Sequence, residues 1–169
     1  MTMERYEAQV LRLAEALRAR GWRIAAAESC TGGLIAAACT AVAGSSDWFE
    51  RGFVTYSNQA KTELLGVQGQ LIASHGAVSE EVALAMAGGA LARAPVQLAL
   101  AVTGIAGPGG AVPGKPVGTV WLAWGTAAGL RAERLQLAGD RTAVREATVD
   151  AALRRLVEAA ASTSGETAG

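Results

Sequence analysis

Tyr6, Val10, Leu13 and Leu17 recur at three- and four-residue spacing, with Glu7, Arg12, Glu15 and Arg18 between them. That period describes a helix with one apolar face over residues 4–20, and Gly21 supplies the left-handed residue that ends it. The pattern then changes. Residues 22–27, apolar apart from Arg23, form a short run that stops at Glu28-Ser29, and after Gly32-Gly33 an alanine-rich segment continues to residue 43, with Gly44 behind it. This reads as a strand entering a tight turn and then a mostly buried helix over 32–43. Ser45-Ser46-Asp47 turns the chain into a second strand, residues 48–56, in which Gly52 marks an expected bulge.

Ser57 or Asn58 caps a short helix through residue 65. Residues 66–76 read as a connection with one helical turn. Ser79 caps the next helix, with Glu80 and Glu81 in the first turn where the dipole favours acids, and that helix ends before Pro95. Residues 96–102 are apolar apart from Gln97, as in a central strand buried on both faces. A Gly/Pro-rich loop over 103–116 follows. Residues 117–124 and 130–137 form two strands joined as a hairpin across 125–129. Asp140 caps a last helix to residue 161, with Val144, Ala151, Leu153, Leu156 and Val157 facing inward. Residues 162–169 read as a frayed, disordered tail. Alternating strands and helices with one late hairpin predict an α/β fold: a three-layer α/β/α sandwich around a mixed, five-stranded sheet, one domain over 1–161.

Composition narrows the function classes. The 169 residues are 51% hydrophobic with zero net charge. A compact soluble domain fits these values, and a nucleic-acid binder does not, because there is no basic excess. No apolar run approaches the ~20 residues of a membrane span, and no signal peptide opens the sequence. Cys30 and Cys39 fit a reducing cytoplasm. One histidine and two cysteines do not furnish an ordinary zinc site, so no metal is expected. The apolar, alanine-rich composition is compatible with a homodimer. The fifteen basic residues are thirteen Arg and two Lys, Lys61 and Lys115. Arginine holds its proton, whereas a buried or dipole-opposed lysine can lose it. The two lysines are therefore candidates for proton transfer, with chance usage as the competing reading.

Ser29, at the strand-to-helix turn, either caps the helix or is a nucleophile, with the N–H groups of Thr31, Gly32 and Gly33 as oxyanion donors. Such a nucleophile needs a base. The single histidine, His75, lies in a poorly patterned segment, which disfavours a Ser-His-Asp arrangement. Lys61 falls in the first turn of the short helix after Tyr56, where the dipole disfavours a cation. Desolvation by a cluster of Trp48, Phe49, Phe53 and Tyr56 would act in the same direction. Tyr56 could relay the proton. Cys30 is a rival nucleophile or, more simply, a small buried side chain. Thr103 and Gly104 follow the central strand, where open sheets bind ligands. Gly107, Gly109 and Gly110 expose amides suited to an anion, and Arg141 and Arg145 could clamp a phosphate.

Ala27-Glu28-Ser29-Cys30-Thr31-Gly32-Gly33, Tyr56-Ser57-Asn58-x-x-Lys61, His75-Gly76-Ala77-Val78-Ser79, Thr103-Gly104-Ile105-Ala106-Gly107-Pro108-Gly109-Gly110 and Gly139-Asp140-Arg141 occur in that order. Together they resemble the C-terminal domain of the competence/damage-inducible protein CinA family, from about residue 5 to residue 160. The resemblance implies nicotinamide-nucleotide amidase activity: nicotinamide mononucleotide, a small pyridine nucleotide, becomes nicotinate mononucleotide and ammonia, with no cofactor. It assigns Ser29 as nucleophile, Lys61 as base and Tyr56 as its assistant. Many members carry a further N-terminal domain associated with pyrophosphatase activity. These 169 residues contain none, so that activity and its metal requirement are not expected. A non-catalytic nucleotide-binding relative and an amidase for another small amide are the alternatives. Retention of Ser29, Tyr56 and Lys61 together disfavours the first.

Overall fold

The computed structural model describes residues 1–162. Within them run α1 (Glu7–Arg20), β1 (Ile24–Glu28), α2 (Leu34–Thr40), β2 (Phe49–Val54), α3 (Asn58–Leu65), α4 (Gly69–His75), α5 (Glu80–Arg93), β3 (Leu98–Gly104), β4 (Thr119–Thr126), β5 (Gly129–Gln136) and α6 (Arg141–Ala161). The five strands form one sheet in the order β2-β1-β3-β4-β5. β2, β1 and β3 are parallel, and β4 and β5 add to them antiparallel. α1, α2 and α6 cover one face and α3, α4 and α5 the other. The three-layer sandwich and mixed sheet read from the pattern are present. Beyond Ser162, the tail expected over 162–169 lies outside the described residues. Among the described residues no helix is long and apolar enough to cross a membrane.

Strand alternation divides the core unequally. Ile24, Leu98, Leu100 and Val102 point toward α1 and α6. From the same strands Ala25, Ala27, Ala99 and Ala101 point toward α5. Small side chains there let the Ala- and Gly-rich α5, through Ala83, Ala87 and Ala90, lie close on the sheet. α5 also meets α3 closely, because a Cβ at Gly89 would fall 2.1 Å from the Leu65 carbonyl oxygen.

Strand ends shift by one or two residues from expectation, and four local features differ for identifiable reasons. α2 begins at Leu34 because Gly32 and Gly33 have φ of 59° and 103°, which no helix accommodates. The 66–76 connection contains α4, a helix of 7 residues held by Ile72 against the α5 layer. The hairpin closes on Ala127-Ala128 alone, since Thr126 pairs with Gly129. The bulge in β2 falls at Glu50: Ile24 pairs with Phe49 but Ala25 with Arg51. Gly52 serves the packing of α2 instead, since a Cβ there would stand 3.2 Å from that of Ala36.

Candidate active site

The carboxyl ends of β1, β2 and β3 open into a cleft of about 210 Å³. From β1 the chain passes through α2 to β2 on one side, and returns across α3, α4 and α5 to β3 on the other. Such a switch in strand order leaves a crevice beyond the strand ends. Ser29 and Cys30 enter it from β1, Tyr56 from beyond β2, Thr103 and Gly104 from β3, Asn58 and Lys61 from α3, and Arg141 from α6. A larger cavity, about 410 Å³, opens at the opposite end of the sheet between Trp22 and Trp124, away from all of these residues.

Lys61 Nζ donates to Ser29 Oγ at 3.0 Å and to the Thr55 carbonyl at 3.0 Å. The lysine is 1% exposed and has no carboxylate partner among the described residues. Burial lowers its pKa below the ordinary lysine value of 10.5; the neighbouring Cys30 acts in the opposite sense. α3 is built to present this side chain. Ser57 Oγ accepts from Ala60 N–H at 3.0 Å, capping the helix, and Lys61 lies one turn inside that cap on its buried side. The aromatic cluster expected around Lys61 does not form. Trp48 and Phe49 pack on the α1/α6 face, Phe53 packs on the α5 face, and Tyr56 is 61% exposed. The desolvation comes from enclosure between β1, β2 and α3 instead.

Ser29 does not cap α2. That position is filled by Glu28, a residue not singled out in the sequence. Its fully buried carboxylate accepts from Thr31 Oγ1 at 2.6 Å, Ile35 N–H at 2.8 Å and Ala36 N–H at 3.0 Å. The signal was available: one acid closes an otherwise apolar strand and immediately precedes a helix.

The structure brings Ser29, Lys61, Tyr56, Thr103, Gly104 and Arg141 together in the cleft. The other expected site residues stand elsewhere. Gly32 N–H is spent on the Ser29 carbonyl at 3.0 Å, Thr31 is fully buried, and Gly33 is the N-cap before α2; none of the three lines the cleft. Arg145 reaches back to the carbonyls of Cys30 at 3.2 Å and Thr31 at 3.1 Å, so it fastens the turn. Gly107 offers its carbonyl to Arg141 at 2.9 Å, while Gly109 and Gly110 are exposed outside the cleft. Tyr56 OH accepts from Arg141 Nη2 at 2.9 Å, across the cleft mouth, rather than contacting Lys61. Thr103 Oγ1 donates to the Ala77 carbonyl at 2.8 Å. Lys115 is a tether, donating to the His75 carbonyl at 2.7 Å, and His75 itself faces Glu81 at 3.4 Å.

Cys30 is a poor rival to Ser29. Burial pushes its thiol pKa up to about 12, which leaves almost no thiolate at neutral pH. Cys39 is likewise buried, with its pKa raised by burial. Native protein at pH 8 is therefore expected to resist iodoacetamide, and the urea-unfolded chain to take up two labels, as read by intact-mass spectrometry.

Fold and site together define an α/β domain with a serine–lysine pair at the switch point of its sheet. The chain belongs to the CinA C-terminal domain family, whose sequence profile matches residues 7–160. It is 55% identical over 147 residues to the nicotinamide-nucleotide amidohydrolase PncC of Pseudomonas putida, covering 87% of this chain and 92% of that one. It is also 55% identical over 139 residues to a CinA-like protein of Syntrophobacter fumaroxidans, of whose length it spans only 33%. The crystal structure of the competence/damage inducible protein CihA from Agrobacterium tumefaciens superposes with a TM-score of 0.87 at 46% identity, over 90% of this chain and 93% of that one.

Proposed function

We propose that this chain is a nicotinamide-nucleotide amidohydrolase, converting nicotinamide mononucleotide to nicotinate mononucleotide and ammonia through a serine–lysine acyl-enzyme. The observation that carries this reading is the 3.0 Å contact between Ser29 Oγ and a buried amine with no carboxylate partner among the described residues. Likeness to the Pseudomonas putida amidohydrolase over most of both chains supports the choice of substrate. The buried, free cysteines fit the reducing cytoplasm as its compartment.

In this mechanism the Thr55 carbonyl holds one N–H of neutral Lys61, aiming the lone pair at the Ser29 hydroxyl. Ser29 Oγ attacks the carboxamide carbon as Lys61 takes the hydroxyl proton. The Cys30 amide replaces the expected Thr31–Gly33 donors at the oxyanion, because Cys30 is the turn residue that lines the cleft. Lys61 then gives its proton to the leaving nitrogen. Ammonia departs and an ester remains on Ser29. Water attacks that ester, Lys61 takes the water's proton, and the proton returns to Ser29 as the acid leaves. Thr103, Gly104 and Arg141 bound the space for ribose and phosphate, and Tyr56 orients Arg141. Ammonia release from purified protein and nicotinamide mononucleotide, without added metal, tests the reading. Folded protein that releases none overturns it.

The lowered Lys61 pKa sets a pH dependence. The base must be neutral, so kcat falls on the acid side as Lys61 protonates and levels off at a pH below 10.5. Stability follows the same sign. Between the lowered folded value and 10.5 the unfolded chain binds more protons than the folded one, so stability rises with pH across that window. The gain is complete above 10.5 and lost as pH falls through the folded value. Lys61→Met removes this contribution, and urea midpoints for both proteins across the window check it.

A further inference from the structure

We propose that Glu28 is a positioning residue for the reaction, holding nucleophile and base at their working separation by bracing the turn that carries Ser29 and the strand end that holds Lys61. The inference rests on the amidase reading for its substrate, but its geometry is independent of it. Ser29 lies on the turn between β1 and α2, four residues before the N-cap Gly33, and the first amides of α2 need acceptors. Glu28 supplies them from the other side of Ser29. Its carboxylate takes Ile35 N–H at 2.8 Å, Ala36 N–H at 3.0 Å and the Thr31 hydroxyl at 2.6 Å, which folds the turn back on the end of β1 and fixes the backbone on either side of Ser29, whose Oγ meets Lys61 at 3.0 Å.

The same residue also reaches the base. The Glu28 carbonyl accepts from Thr55 N–H at 2.8 Å, and the Thr55 carbonyl accepts from Lys61 Nζ at 3.0 Å. Glu28 thus fixes the Ser29 turn through its side chain and Lys61 through its main chain. The side chain stands beside the positive end of the α2 dipole, where an acid is favourably placed. Glutamine at this position keeps the volume but replaces one acceptor oxygen with a donor that faces an amide. The turn that carries Ser29 then loses one of its ties to α2.

Two rates test this: steady-state ammonia release from nicotinamide mononucleotide, and covalent labelling of Ser29 by phenylmethylsulfonyl fluoride, followed by peptide mass spectrometry. Glu28→Gln is expected to lower kcat by about tenfold or more with little change in KM, and to slow Ser29 labelling in parallel, since small misplacements of reacting groups are costly. Thr31→Val removes one donor from the carboxylate and gives a smaller loss of both rates; it decides the matter if Glu28→Gln fails to fold. Leu13→Ala, in the fully buried α1 face remote from the cleft, is the control. It lowers the urea midpoint but leaves both rates intact. Unchanged rates in Glu28→Gln, or an equal loss in Leu13→Ala, overturn the proposal. If the unmodified protein is labelled at Ser29 yet releases no ammonia, the amidase reading fails, while the labelling rates still decide the role of Glu28.

Discussion

Lys61→Met lowers ammonia release by on the order of 10⁴-fold or more while the protein stays folded by circular dichroism, and Ser29→Ala does the same. Methionine is close to lysine in length and is apolar, so it occupies the buried site without an amine. Ser29 then has no group within 3.0 Å to take its proton. The two losses are not additive, because serine and lysine act as one unit; the double variant is no slower than either single one. Lys61→Arg is also inactive, since a guanidinium keeps its proton. KM stays near its original value in Ser29→Ala if the hydroxyl acts only in the chemical step. Substantial turnover in Lys61→Met would remove the lysine as base.

Gly89→Ala costs about 2–3 kcal/mol of stability and lowers kcat as well. A methyl group there would sit 2.1 Å from the Leu65 carbonyl oxygen and 2.9 Å from its carbon, which are backbone atoms of α3 and cannot rotate away. α3 must move out from α5, and Lys61, one turn upstream on α3, moves with it. For a domain of this size the loss corresponds to a fall of roughly 5–10 °C in Tm. Calorimetry measures the stability and ammonia release the rate. Adding the methyl at Gly69 is the control: nothing lies within 4 Å of a Cβ there. Loss of stability with kcat unchanged would show that α3 yields without carrying Lys61 away.

Much of this site was legible before the fold was known. Lys61 stood out because the chain otherwise uses arginine and because the first turn of a helix disfavours a cation. Both are local properties, and the structure brings this lysine to Ser29. Tyr56, Thr103, Gly104 and Arg141 also reach the cleft from their places at strand ends and a helix start. What escaped was the routing of hydrogen bonds. Gly32, with no side chain and a positive φ, has the character of an oxyanion donor, yet its N–H closes the turn on Ser29. Arg145, one turn into α6, has the character of a phosphate clamp, yet it finds the carbonyls of Cys30 and Thr31. The second choice depends on where α6 settles against β3 and α2, which no local pattern encodes. The aromatic residues of β2 escaped for a different reason. A bulge at Glu50 breaks the two-residue alternation, so Phe49 and Phe53 face opposite layers and do not form one cluster.

The alanine face of β1 and β3 makes the two halves of this molecule unequal under mutation. On the side of Leu98, Leu100 and Val102, truncation opens voids and enlargement has neighbouring flexible side chains to displace. On the side of Ala25, Ala27, Ala99 and Ala101, there is almost nothing left to remove, and every added carbon presses on α5 and, through it, on α3. Sequence drift on this face is therefore confined to residues no larger than alanine, whereas the opposite layer can exchange leucine, isoleucine and valine among its positions. The helix that carries Lys61 leans against the layer with the narrower range of acceptable residues.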